Sequence, residues 1–127
     1  MTVFVYETLL RGNGNHDYFL ADAPCLGEAR LTGYALYDLG SYPGIVPEPG
    51  GTVLGELYEV DAPTLARLNR LEDEGHLYAL RAAVVALPDG SRADAGIYVY
   101  LHEVDGCPRV DVADQPWRQE KKCSYNS

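Results

Sequence analysis

The residue types that could do chemistry centre on one carboxylate, Glu72. It follows Leu65 and Leu68 at i+7 and i+4, so on a helix the three share a face. An acid on an apolar stripe points inward, where it is costly unless hydrogen-bonded. Desolvation there raises a carboxyl pKa toward that of a proton acceptor working near neutral pH. Glu72 also ends its segment in Glu72-Asp73-Glu74, although a helix C-terminus favours cations. Asp73 and Glu74 have a simpler reading, a solvated acidic end with Arg70 pairing to Glu74 at i+4. A second candidate is Tyr6-Glu7-Thr8-Leu9, directly after an apolar run. A strand running into a tight polar loop presents consecutive backbone N–H groups that can hold a carboxylate or phosphate, although an ordinary connection has the same pattern. A third is the excess of tyrosine, ten against two phenylalanines. Their hydroxyls could line a polar pocket or cap half-buried strand positions.

Other chemistries have little to stand on. His16, His76 and His102 are isolated, and no CxxC or HxxxH spacing occurs, so no metal site is expected. Cys25, Cys107 and Cys123 are odd in number and widely spaced, which argues against a disulfide framework and suits a reducing compartment. No GxGxxG or P-loop pattern supports nucleotide binding. With 10 basic and 19 acidic residues the net charge is −9, which repels phosphate backbones, so no nucleic-acid partner is expected. No apolar run approaches the roughly 18 residues of a membrane span, and the start, Val3-Phe4-Val5-Tyr6, does not read as a secretory signal. The expectation is a cytoplasmic protein without a membrane partner.

The elements that must position these groups are legible from periodicity. With 127 residues, 46% of them hydrophobic, the chain is expected to form one domain with a genuine core. Thr2 to Tyr6 reads as a buried strand, followed by a loop over Glu7 to Asn15 and one or two helical turns over His16 to Leu20. Cys25 to Asp38 reads as one or two strands broken near Gly33. Gly40 to Gly51, with three prolines and four glycines, reads as a loop, and Thr52 to Val60 as an alternating strand. Asp61 is a natural N-cap, with Pro63 in the first turn of a helix from Ala62 to about Glu72 and Gly75 as its terminator. Tyr78 to Leu87 and Arg92 to Leu101 read as strands joined by the turn Pro88-Asp89-Gly90-Ser91, with Ile97, Val99 and Leu101 on one side and Tyr98 and Tyr100 on the other. This order predicts an α+β fold, a mixed and mainly antiparallel sheet or barrel with a few short helices. Residues 1–120 contain no Lys, whereas Lys121 and Lys122 sit in a polar end, so residues 1–117 are expected to form the domain and residues 118–127 a tail.

In order and spacing these segments resemble the gamma-glutamylcyclotransferase family, in its small AIG2-like and gamma-glutamylamine cyclotransferase branch. Family members open with a strand and a Tyr-Gly-Ser/Thr-Leu loop, here Val3-Phe4-Val5-Tyr6-Glu7-Thr8-Leu9. A Tyr-Pro-Gly segment follows, here Tyr42-Pro43-Gly44, then a Gly-Glu-Leu/Val-Tyr strand, here Gly55-Glu56-Leu57-Tyr58. A helix ending in a Leu-Asp-x-x-Glu type motif comes next, here Leu68-Asn69-Arg70-Leu71-Glu72, and the strand Tyr98-Val99-Tyr100 also fits. The resemblance spans roughly residues 2–105. It implies Glu72 as the catalytic acid–base group and the backbone of Tyr6, Glu7, Thr8 and Leu9 as the substrate-binding loop. The reaction it implies is an attack of the substrate's α-amine on its own γ-carbonyl, releasing 5-oxoproline and an amine or amino acid. That chemistry needs neither metal nor organic cofactor, and its partner is a small gamma-glutamyl molecule.

Three positions depart from the pattern. Glu7 stands where the family has Gly, a residue that permits positive φ and close backbone approach. Its side chain either turns outward, leaving the N–H groups usable, or occupies the pocket and mimics a bound carboxylate. The second case corresponds to an alternative function, a non-catalytic binding protein on the same fold. Asn69 replaces a common Asp, and Arg81 falls one residue later than the family's Tyr-x-Arg spacing from Tyr78.

Overall fold

The structure, a computed structural model, describes residues 1–6, 20–40 and 42–115. Within them, five strands close a barrel: β1 (Thr2–Val5), β2 (Cys25–Asp38), β3 (Pro43–Glu59), β4 (Tyr78–Ala86) and β5 (Arg92–Tyr100), in the spatial order β1-β3-β2-β4-β5. One α-helix, α1 (Ala62–Leu71), and a short 3-10 turn at Val112–Asp114 complete the described elements. The expected α+β barrel is the one observed, with one α-helix rather than several among the described residues. All pairings are antiparallel except that of β1 with β5, which is parallel at Val3 and Gly96 and closes the barrel. The expected helical turns at His16 to Leu20 and the tail at 118–127 lie outside the described residues, apart from Leu20.

Alternation along the strands sorts side chains into two layers. Phe4, Tyr6, Leu31, Leu36, Ile45, Val53, Leu57, Val85, Ile97 and Val99 fill the interior. Val3, Val5, Tyr58, Val60, Tyr78 and Tyr98 face outward and are covered by Leu20 and by Leu68 of α1. Leu101, expected to share the side of Ile97 and Val99, lies just past the end of β5 and is largely exposed.

The Gly40 to Gly51 segment differs from its sequence reading. It is strand from Pro43 onward, pairing Pro43 with Asp38 through to Pro47 with Tyr34. The prolines are tolerated because this half of β3 pairs only with β2, an edge position where a missing N–H breaks no ladder bond. A register shift between Thr32 and Tyr34, with Gly33 at φ +90°, bends the two long strands so that they wrap the core.

Helix α1 begins as expected. Asp61 Oδ1 accepts from the Thr64 amide at 2.9 Å, and this bond, first, holds the Asp61 carboxyl below its ordinary value. Because the folded pKa is depressed, the cap's stabilisation is present above the unfolded value of 3.8 and is lost as pH falls through the folded one. Asp61→Ala is therefore expected to lower the melting temperature at pH 7, and the gap from wild type should close in strongly acidic buffer. A gap that persists there would assign the effect to something other than the charged cap.

The helix end departs from expectation. Asp73, not Gly75, is the residue that turns the chain, in the left-handed region at φ +51°. Its amide donates to Arg70 O, and the Glu74 amide donates to Asn69 O at 2.9 Å, a Schellman arrangement. A side chain is disfavoured in that conformation, so Asp73→Gly is expected to stabilise the fold by about 0.5 kcal/mol, readable as a higher urea midpoint. The expected Arg70–Glu74 pair does not form; Glu74 Oε2 instead accepts from the Leu80 amide at 3.2 Å.

Candidate active site

Glu72 caps α1 and is only 3% exposed. The stripe that predicted its inward direction is real: Leu68 is fully buried and Leu65 packs beside it. Tyr6 follows β1 and is likewise buried. Glu7, Thr8 and Leu9 lie outside the described residues.

Tyr98 links the two described candidates' surroundings. The Tyr6 hydroxyl donates to the Tyr98 carbonyl at 2.7 Å, and the Tyr98 hydroxyl donates to Asn69 Oδ1, in the last turn of α1 before Glu72. The end of β1 and the end of α1 are thereby tied to one residue of β5. Asn69, where the family commonly has Asp, is the acceptor in this link. A third segment joins them, because the Tyr78 hydroxyl donates to the Pro43 carbonyl at 2.6 Å and fixes the Tyr-Pro-Gly segment beside the layer that holds Leu68. A row of rings runs from Tyr42 through Tyr78 and Tyr100 to His102, with centroids 5.5–6.4 Å apart. Burial, then the nearby Tyr42, pushes the Tyr100 hydroxyl above its ordinary value, so it remains a donor at neutral pH.

Sequence reasoning missed a second buried acid. Glu56 is 7% exposed, and Tyr58 donates to its Oε1 at 2.9 Å. Burial, then the Glu56 charge and this bond, push the Tyr58 hydroxyl strongly upward, which keeps it protonated. The signal was available, since Glu56 shares an outward strand face with Tyr58 and Val60, which are both covered. Among the described residues, no group of three or more His, Cys, Asp and Glu side chains is arranged to hold a metal ion. No helix among them is long and apolar enough to cross a membrane.

The arrangement joins a buried carboxylate at the end of α1 to the end of β1. A sequence model of the gamma-glutamyl cyclotransferase, AIG2-like family matches residues 3–119. The chain belongs to this family. The gamma-glutamylcyclotransferase family protein YtfP of Escherichia coli is 40% identical over 114 residues, 90% of this chain and 95% of that one. The solution structure of that E. coli protein superposes with a TM-score of 0.66, covering 87% of this chain and 91% of the other. The crystal structure of a mouse AIG2-like protein gives a TM-score of 0.77 at 27% identity and covers 95% of each chain. In this gamma-glutamylcyclotransferase fold, the Gly-Glu-Leu-Tyr strand carries a packing requirement of its own: a Cβ at Gly55 would lie 2.2 Å from Val5 O. The motif glycine thus allows β1 to approach β3 and so sets where Tyr6 ends.

Proposed function

We propose that the protein is a gamma-glutamyl cyclotransferase in which Glu72 moves the proton. The substrate's α-ammonium gives a proton to the Glu72 carboxylate. The freed amine attacks the γ-carbonyl carbon, closing a five-membered ring. Collapse breaks the bond to the leaving nitrogen, which takes the first proton back from Glu72; the ring nitrogen gives up its second proton, again through Glu72, to the same leaving nitrogen, and 5-oxoproline and the amine or amino acid, now protonated, depart. Backbone N–H groups of Tyr6, Glu7, Thr8 and Leu9 hold the α-carboxylate and keep the chain folded on itself, which supplies much of the rate through near-attack geometry. The observation that carries this reading is the buried Glu72 carboxylate, placed in a family whose members act on gamma-glutamyl groups. Gamma-L-glutamyl-butirosin B gamma-glutamyl cyclotransferase of Niallia circulans, 40% identical over 72 residues, supports the same reaction class; those residues are 56% of this chain and 45% of that one. The reaction suits a cytoplasmic enzyme without a cofactor. Incubation with a panel of gamma-glutamyl amines and gamma-glutamyl amino acids should release 5-oxoproline. A folded protein that yields none from the whole panel would reject the assignment.

A second reading, a binding protein that has lost the reaction, is favoured by Glu7, which puts a side chain and a negative charge where the family has Gly. The two readings separate on Glu7→Gly. The variant is expected to raise turnover, or affinity for 5-oxoproline, as the charge beside an anionic carboxylate disappears. Unchanged values for both would mean that the Glu7 side chain points away from the ligand.

A further inference from the structure

Strand β4 is fully paired along one edge only. It matches β5 throughout, from Tyr78 with Tyr100 to Ala86 with Arg92, whereas its other edge meets β2 at a single pair, Ala86 with Arg30. The bonds at the two ends of the β4–β5 hairpin fix which way each peptide group points. The Leu101 amide donates to Leu77 O at 3.0 Å, and the Leu87 amide donates to Ser91 O at 2.8 Å. Bonded and non-bonded pairs alternate in an antiparallel ladder, so the odd-numbered residues of β4 bond to β5. The even-numbered ones point their N–H and C=O groups to the other edge.

At both ends of that edge the outward groups are taken. The Tyr78 carbonyl accepts from the Gly75 amide at 2.7 Å, the Leu80 amide donates to Glu74 Oε2 at 3.2 Å, and Ala86 faces Arg30. Between these ends lie the Leu80 carbonyl and both backbone groups of Ala82 and Val84, and among the described residues no strand is in register with them on this side. Solvent reaches them, since Ala82 is exposed and Val84 is 53% exposed. Sheets ordinarily guard such an edge with charge, proline or a covering segment. Ala82-Ala83-Val84-Val85-Ala86 holds no charge and no proline.

We propose that the open edge of β4 pairs with the same edge of a second copy of this chain, antiparallel and two-fold symmetric about Ala82. In that register Ala82 faces Ala82 of the second copy, and Leu80 faces its Val84. The outward-facing side chains of Leu80, Ala82 and Val84 run large, small, large from either end, so the strand is complementary to itself. On the opposite face Arg81 meets Ala83, and no like charges stand directly opposed. The charge of the chain favours this place for a copy: with 19 acidic residues and a net charge of −9, most contacts between copies bring carboxylates together, whereas Leu80 to Ala86 holds none. The pairing completes roughly four ladder bonds. So short an interface falls below the roughly 1,200 Å² of a standard complex, which sets its strength at a Kd of about 0.1 mM. The proposal does not rest on Glu72 or on turnover, so it stands or falls separately from the cyclotransferase reading.

The test is sedimentation velocity of the full chain from about 10 µM to 1 mM, a range that brackets that Kd, with ¹⁵N NMR over the same range. The wild type is expected to pass from monomer to dimer, and the amides of Ala82 and Val84 should shift and exchange more slowly as it does. Val84→Lys puts a charge on the edge and should weaken the dimer at least about tenfold. Val112→Lys is the control, because it makes the same change of charge at another exposed valine, 45% exposed and outside β4, and it should dimerise as wild type does. Melting curves check that both variants fold, and the wild-type amide shifts decide the matter if Val84→Lys does not. Four results would overturn the proposal: a monomer throughout, concentration-dependent shifts confined to residues outside β4, equal dimerisation of Val84→Lys and wild type, or an equal loss in Val112→Lys.

Discussion

Glu72→Gln is expected to lower kcat by roughly 10²–10⁴-fold, the usual contribution of a positioned general acid–base group, while KM changes little. The amide matches the carboxylate in shape, so the buried position stays filled and the fold should persist. Only the capacity to accept a proton is removed. Glu74→Gln is the control: this neighbouring carboxylate is exposed, and its described bond is to the Leu80 amide, which a glutamine oxygen can also accept. Its turnover should stay near wild type. The measurement is steady-state release of 5-oxoproline, with melting curves for both variants. Full turnover by Glu72→Gln would remove this residue from the mechanism, and an equal loss in Glu74→Gln would point to disturbance of the helix end rather than to proton transfer.

Gly55→Ala is expected to be among the most destabilising single-methyl changes in the chain. The added carbon would lie 2.2 Å from Val5 O and 2.8 Å from Phe4 Cζ. Overpacking typically costs about 1–3 kcal/mol, and here the obstacle is backbone held in the β1–β3 ladder, so a loss at or above about 3 kcal/mol is expected. For a domain whose total stability is about 5–15 kcal/mol, that is a large fraction, and urea unfolding will read it as a lowered midpoint. Gly90→Ala separates crowding from backbone strain. Gly90 sits at φ +91°, and a Cβ added there would meet no atom within 4 Å, so this variant bears only the conformational cost, about 1 kcal/mol. If the two variants lose equal stability, β1 and β3 are not as close as the structure holds them. Because β1 leads directly to Tyr6, Gly55→Ala should also reduce turnover in the fraction that folds.

Much of the local structure was legible without coordinates. The cap at Asp61, the bounds of α1, the β4–β5 hairpin and the inward direction of Glu72 all follow from short-range patterns of period, turn chemistry and apolar spacing. The misreadings have a common cause. Gly40 to Gly51 carries the composition of a loop, and only its partner β2, on the far side of a turn, makes an edge strand of it. Gly75 has the residue type of a helix terminator, yet Asp73 adopts the left-handed turn because the backbone bonds to Arg70 and Asn69 complete there.

The sequence by itself determined most of the elements, their order, the inward direction of Glu72 and the resemblance that pointed to the family. Those properties depend on neighbours within a few residues. Only the tertiary structure decided that β1 closes the barrel against β5, that Tyr98 joins the end of β1 to the last turn of α1, and that β2 meets β4 at the single pair Arg30 and Ala86. Each of these joins residues that are far apart in the chain. Such contacts arise from closing the sheet on itself, and no local pattern encodes which distant edges will meet.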